Sequence, residues 1–255
     1  MNFIVNDFNI YYEQYGTGND SIIILPGWGD TRSTFYQIIE VLKCFYTIYI
    51  VDYPGFGKSG FPNRDLDIYD YANLIKDFIK IKSIDNPIII GHSFGGRLGI
   101  ILAGLYKLDI KKMILIDAAG IKRKKKMKLK VKQLVYKSLK KLARILPKKI
   151  RQIYLNKLIN VFGSNDFKNL DQNIRKTFIK VINEDLSKYL SEINTSTLLI
   201  WGEDDIDTPV EDGKVMNIKI KDSGLIIIPN AGHFPYLQYP YYINKIILEF
   251  LKVSI

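Results

Sequence analysis

Six short apolar runs, at 21–25, 47–52, 87–90, 112–117, 198–201 and 225–228, recur along the chain, most of them separated by segments with helical spacing. Runs of this length bounded by turn residues read as strands buried on both faces. Their alternation with the helix-period segments 34–42, 69–81, 95–106 and 241–251 predicts a mostly parallel, twisted sheet with helices on both faces, an α/β fold. Residues 2–5 and 9–15 alternate apolar and polar positions like an antiparallel start. With 255 residues, 47% of them apolar, the chain suits one large domain with a sizeable core rather than two independent ones.

The third of these strand runs leads into Gly91-His92-Ser93-Phe94-Gly95. A serine at a strand-to-helix junction can occupy a strained turn when the residues two before and two after it lack a Cβ, so Gly91 and Gly95 are read as elbow glycines. The hydroxyl of Ser93 then stands clear of the fold, and the backbone N–H of Phe94 faces charge that would develop on a bound carbonyl. That arrangement points to acyl transfer.

Only two histidines are present, and His92 lies inside the turn, facing away from Ser93. By elimination His233, in Pro229-Asn230-Ala231-Gly232-His233 just past the last strand run, is the available base. The acid is sought in Trp201-Gly202-Glu203-Asp204-Asp205-Ile206-Asp207, where Asp204, Asp205 and Asp207 compete and spacing does not separate them.

The order serine, aspartate, histidine, together with the elbow, resembles the α/β-hydrolase fold family with a helical cap, over nearly the whole chain. The resemblance implies a Ser-His-Asp triad of Ser93, His233 and Asp205, the last standing three residues after the glycine of a Trp-Gly-x-x-Asp element. Asp204, Asp207 and the strand-end Asp117 are the alternatives. It further implies that the backbone N–H of Trp28 is the second oxyanion donor and that Asp52-Tyr53-Pro54-Gly55-Phe56-Gly57-Lys58-Ser59-Gly60 is an architectural loop. Pro26 stands where the family usually has a histidine, which removes an imidazole that braces the oxyanion loop. The implied division is a core of 1–117 and 197–255 with a cap of 118–196 inserted after the sixth strand. The implied activity is hydrolysis of a small to medium carboxylic ester, with no metal and no organic cofactor. The alternatives are a meta-cleavage-product hydrolase breaking a C–C bond, a lysophospholipase or monoacylglycerol lipase, and a non-catalytic ligand-binding protein on the same fold. Arg97 and Phe234 lie near the site in sequence and are read as packing residues.

Between residues 121 and 151 stand fifteen lysines and arginines and no acid, whereas the rest of the chain has 22 basic against 26 acidic residues. Val131, Leu134, Val135, Leu139, Leu142 and Leu146 recur there at helical spacing until Pro147, followed by a helix near 150–161 ending at Gly163 and another with Asp171 as N-cap. The first expectation for this stretch is a solvated basic face. Weak contact with an anionic membrane or amphiphile through 121–151 comes next, because an apolar stripe flanked by lysines suits an interface. Nucleic acid is disfavoured, since Tyr136 is the only aromatic in the stretch. The expected substrate partner is a small-molecule ester. The single Cys44, read as helix packing, forms no intrachain disulfide, and neither a signal peptide nor an apolar run of spanning length is visible, so a cytoplasmic protein is expected.

Overall fold

The computed structural model describes residues 1–5, 8–123, 135–136, 138–139, 141–145, 147–162 and 170–253. Among these, the strands are β1 (Asn2–Val5), β2 (Phe8–Tyr15), β3 (Ser21–Leu25), β4 (Thr47–Val51), β5 (Ile88–His92), β6 (Lys112–Ile116), β7 (Thr197–Gly202) and β8 (Ser223–Ile228). They form one sheet in the order β1-β2-β4-β3-β5-β6-β7-β8. β1 with β2 and β2 with β4 are antiparallel, and every later pairing is parallel. The sequence reading of a mostly parallel sheet holds, and the antiparallel start at 2–15 holds with it.

The pleat divides each central strand between two cores. Ile23 and Leu25 of β3, Ile89 of β5, Leu115 of β6 and Trp201 of β7 face one side. There they pack with α2 (Ile68–Ile81) and α3 (Phe94–Ile100). Ile22, Ile24, Ile90, Ile114 and Ile200 face the other and pack with α1 (Tyr36–Leu42) and the terminal helix (Pro240–Leu251). Because both faces are covered, the strands read as continuous apolar runs. α2 starts with a capping box: Asp67 accepts from the N–H groups of Tyr69 and Asp70, and Asp70 accepts from that of Asp67.

From β6 to β7 the described residues contain helices and no strand. These include α4 (Lys148–Phe162), a 3₁₀ turn (Gln172–Ile174) with Asp171 accepting from Asn173 N–H, and α5 (Arg175–Asn183). Polar contacts tie this interval to the sheet layer. Thr177 Oγ accepts from Leu66 N–H at 2.9 Å, Leu186 N–H donates to the Gly120 carbonyl at 2.8 Å, and Arg123 holds the Asp212 carboxylate with two nitrogens. Arg97, buried as expected of a packing residue, donates to the Glu184 carbonyl at 3.0 Å.

Several expectations are corrected. Helix α6 (Val210–Lys219) and the one-turn α7 (Pro235–Gln238) stand where no helix was expected; the terminal helix is accordingly α8. The segment after the elbow is α-helical only to Ile100 and continues as a π-helix over Ile101–Leu105. Cys44 is exposed, just beyond the end of α1, instead of packing inside. Of the apolar stripe, Val135 and Leu142 are exposed and Leu139 is half-buried, which is compatible with the solvated or interfacial face read there; Val131, Leu134, Leu146 and Gly163 lie outside the described residues, as do residues 124–134. No helix among the described residues is long and apolar enough to cross a membrane.

Candidate active site

β5 ends at His92 and α3 begins at Phe94, which leaves Ser93 alone at φ 50°, ψ −108°. A non-glycine residue there is strained by about 1–3 kcal/mol and persists only where its neighbours hold it. Ser93 N–H donates to Ile116 O at 3.1 Å, and Ser93 O accepts from Gly96 N–H at 3.1 Å and Ala119 N–H at 3.0 Å. The elbow glycines are required for space: a Cβ on Gly91 would lie 2.7 Å from Gly95 O, and one on Gly95 would lie 1.8 Å from Leu25 O. Backbone of a central strand cannot yield by that amount. Gly95→Ala is therefore expected to destabilise the protein by roughly 3 kcal/mol, about 6–12 °C in Tm for a chain of this size. Gly224→Ala, where a Cβ meets nothing within 4 Å, should stay within about 0.5 kcal/mol. Thermal unfolding of the two variants checks the contrast, and equal Tm values would contradict it.

The N–H groups of Phe94, in the first turn of α3, and of Trp28, in the loop after β3, find no acceptor among the described residues. The Trp28 ring meets Phe94 edge-on at 5.0 Å and Phe56 at 4.9 Å, which fixes that loop against the elbow. Pro26 does not leave the loop unbraced. Its carbonyl accepts from Tyr53 O–H at 3.3 Å, and the loop's Asp30 lies 3.4 Å from Nδ1 of His92.

The structure brings Asp205 and His233 together, with Asp205 Oδ2 2.8 Å from His233 Nδ1. A tight turn after β7 holds the carboxylate. Oδ1 accepts from the N–H groups of Asp207 at 2.8 Å and Thr208 at 3.1 Å, and Oδ2 accepts from Thr208 Oγ at 2.6 Å. Burial would push the Asp205 pKa up, but the hydrogen bonds from His233 and Thr208 and the nearby imidazole outweigh it and bring it down to about 2. Burial likewise lowers the proton affinity of His233, and the hydrogen bond and charge of Asp205 overcome this to raise it. Asp204 and Asp207 are exposed and do not touch the imidazole.

His92, read as facing away from Ser93, is buried and donates through Nε2 to the His233 carbonyl at 2.8 Å; its Nδ1 lies 3.3 Å from Tyr236 Oη. It thus staples the elbow to the loop carrying His233, a role not visible in sequence. Burial lowers its proton affinity, as suits a neutral donor. Among the described residues no hydrogen bond joins Ser93 Oγ to His233; such contacts are often loose until substrate is bound. Asp117, the alternative strand-end acid, does not hydrogen-bond the imidazole. It is fully buried at φ 41°, and its Oδ1 accepts from Gly202 N–H at 2.9 Å. A carboxylate closing an otherwise apolar strand is the sequence signal that marks it.

A cleft of about 350 Å³ opens at the Trp28 loop, whose ring packs on Phe94 of the elbow, and is lined by Trp28, Gly29, Gly55, Phe56, Leu170, Asp171 and Ile174. Another, of about 140 Å³, lies at the antiparallel end of the sheet by Glu13 and Arg32, with neither histidine in its lining. The arrangement offers a half-buried hydroxyl at a strained turn, an imidazole with one nitrogen held by a carboxylate, unpaired N–H donors and a cleft of mixed polarity.

Comparison with known proteins agrees with the architecture. A family model described as alpha/beta hydrolase fold matches residues 20–152. A pimeloyl-[acyl-carrier protein] methyl ester esterase of Wigglesworthia glossinidia brevipalpis is 28% identical over 95% of this chain and 97% of its own length. A 2-hydroxy-6-oxononadienedioate/2-hydroxy-6-oxononatrienedioate hydrolase of Burkholderia vietnamiensis is 24% identical over 96% of this chain and 92% of its own. Among solved structures, an esterase from Exiguobacterium antarcticum superposes with a TM-score of 0.75 at 24% identity, covering 97% of both chains.

Proposed function

Since the chain belongs to the alpha/beta hydrolase fold family, we propose that it is a serine hydrolase that cleaves a small to medium carboxylic ester through an acyl-enzyme on Ser93. The observation that carries this reading is the 2.8 Å pair of His233 Nδ1 and Asp205 Oδ2, tied to the strained turn at Ser93 by the hydrogen bond from His92 to the His233 carbonyl. With Nδ1 committed to Asp205, Nε2 of His233 is left to take the serine proton as Oγ attacks the ester carbonyl. The N–H groups of Trp28 and Phe94 stabilise the oxyanion. Collapse of the tetrahedral intermediate breaks the C–O bond, and the imidazolium returns its proton to the departing alcohol. Water then attacks the acyl-serine by the same route and releases the acid. These steps need neither metal nor organic cofactor. The segment 118–196 serves as a cap, whose Leu170 and Ile174 give the cleft an apolar wall for an acyl or alcohol group.

A panel of p-nitrophenyl esters of increasing acyl length tests the reading, with turnover expected to peak at short to medium chains. Its pH profile adds a second constraint. The base must be neutral, and the charge of Asp205 raises the proton affinity of His233, so kcat/KM should fall on the acid side with a midpoint above about 6.5. No ester turnover, or a flat profile between about pH 5 and 9, would contradict it. The second reading, C–C hydrolysis next to a ketone, is favoured by the likeness to the Burkholderia hydrolase. Turnover of a 2-hydroxy-6-oxo-dienoate in place of every ester would select it.

A further inference from the structure

Asp117 and Asp205 are two carboxyl groups at the ends of neighbouring strands, and one oxygen of each, with a ring nitrogen of His233, lies within 4.8 Å of the other two. Asp117 is completely buried. Its Oδ1 is satisfied by Gly202 N–H, but Oδ2 is buried and, as an acceptor, has no partner. The neighbour it faces is the carboxyl of Asp205, an acceptor as well. Two anions this close in a dry site repel strongly, and a buried carboxylate with an orphaned oxygen is unfavourable. One proton shared by the pair removes both problems. Its location follows from the donors: Asp205 already collects two backbone N–H groups, the Thr208 hydroxyl and the imidazole, whereas Asp117 has a single N–H.

We propose that Asp117 is a positioning residue, protonated at neutral pH, whose Oδ2–H donates to Asp205 and holds that carboxylate in line with His233. This rests on the triad reading of the site. Burial, with the Asp205 charge adding to it, pushes the Asp117 acid up to about 9, in agreement with the geometry. The titratable groups around it are Asp205 after β7, His233 after β8, Tyr236 on α7 and His92 at the end of β5. Thr208 completes the cage, its Oγ 2.9 Å from the Asp117 carbonyl oxygen. Ionisation of Asp117 would place a second negative charge beside Asp205, so activity should decline as pH rises through about 9.

The infrared difference spectrum of wild type minus Asp117→Asn at pH 7 should contain the carbonyl stretch of a protonated carboxylic acid. This readout does not depend on any esterase activity, so it fails or succeeds separately from the functional reading. Asparagine keeps an acceptor for Gly202 and supplies N–H in place of O–H. Asp117→Ala should lower kcat by about tenfold or more with little change in KM, the scale of one hydrogen bond to a charged group. Asp117→Asn should restore the greater part of that loss and abolish the alkaline limb. Stability gives a further sign. A raised acid pKa stabilises the fold fully below about 3.8 and loses that contribution as pH rises through about 9, a slope the asparagine variant removes. Absence of the acid band, an asparagine variant as impaired as the alanine one, or an unchanged alkaline limb would each overturn the proposal. If the alanine variant does not fold, the asparagine variant and the spectrum carry the test.

Discussion

Ser93→Ala is expected to lower kcat on a short-chain p-nitrophenyl ester by roughly 10⁴-fold or more, because no other hydroxyl stands at the elbow to form the acyl-enzyme. What remains should be the slow reaction supported by the Trp28 and Phe94 donors and by binding. The variant keeps a Cβ at φ 50°, so the backbone strain is the same in both proteins and the Tm should change little. Steady-state kinetics with a circular dichroism check on folding separates the two effects. Turnover within a few-fold of wild type would remove Ser93 from the mechanism.

The second large effect belongs to Asp205→Asn, with an expected loss of about 10⁴ in kcat. In the native site Oδ2 accepts from the imidazole, which fixes the proton on Nδ1 and leaves Nε2 as the base. An amide presenting N–H to the ring favours the opposite tautomer and turns Nε2 into a donor, unable to take the serine proton. The loss should fall on kcat with KM nearly constant, since binding in the cleft is untouched. Asp204→Asn and Asp207→Asn, both at exposed positions, should stay within a few-fold of wild type. Equal losses at all three would mean that the loop, not the individual carboxylate, carries the effect.

The strands that position these groups could be read closely from sequence because their environment is uniform. The sequence bounds of β1 and β3 coincide with the strands to the residue, the first through alternation and the second as a run apolar on both faces. Helix α6 was hidden for a physical reason. Gly213 interrupts it where a Cβ would lie 2.8 Å from the Trp201 ring, so the residue that weakens the helical pattern is also the one that lets the helix approach the sheet. Ser93 was legible from its glycines, and His233 from the scarcity of histidine. Asp205 was not separable from Asp204 by spacing alone, because the choice depends on how Thr208 closes the turn after β7. His92 and Asp117 make their hydrogen bonds to residues distant in the chain: 141 positions separate His92 from the carbonyl it binds, and 85 separate Asp117 from Gly202. Periodicity carries no record of such pairings.

An activated serine differs chemically from every other hydroxyl in the chain, and a fluorophosphonate probe followed by peptide mapping reads that difference directly. One adduct per chain, on the peptide containing Ser93, suppressed in His233→Ala and Asp205→Asn, is the result expected. Wild-type protein that takes no label, or that carries it on another residue, would contradict the claim that the imidazole and carboxylate beside the elbow activate Ser93.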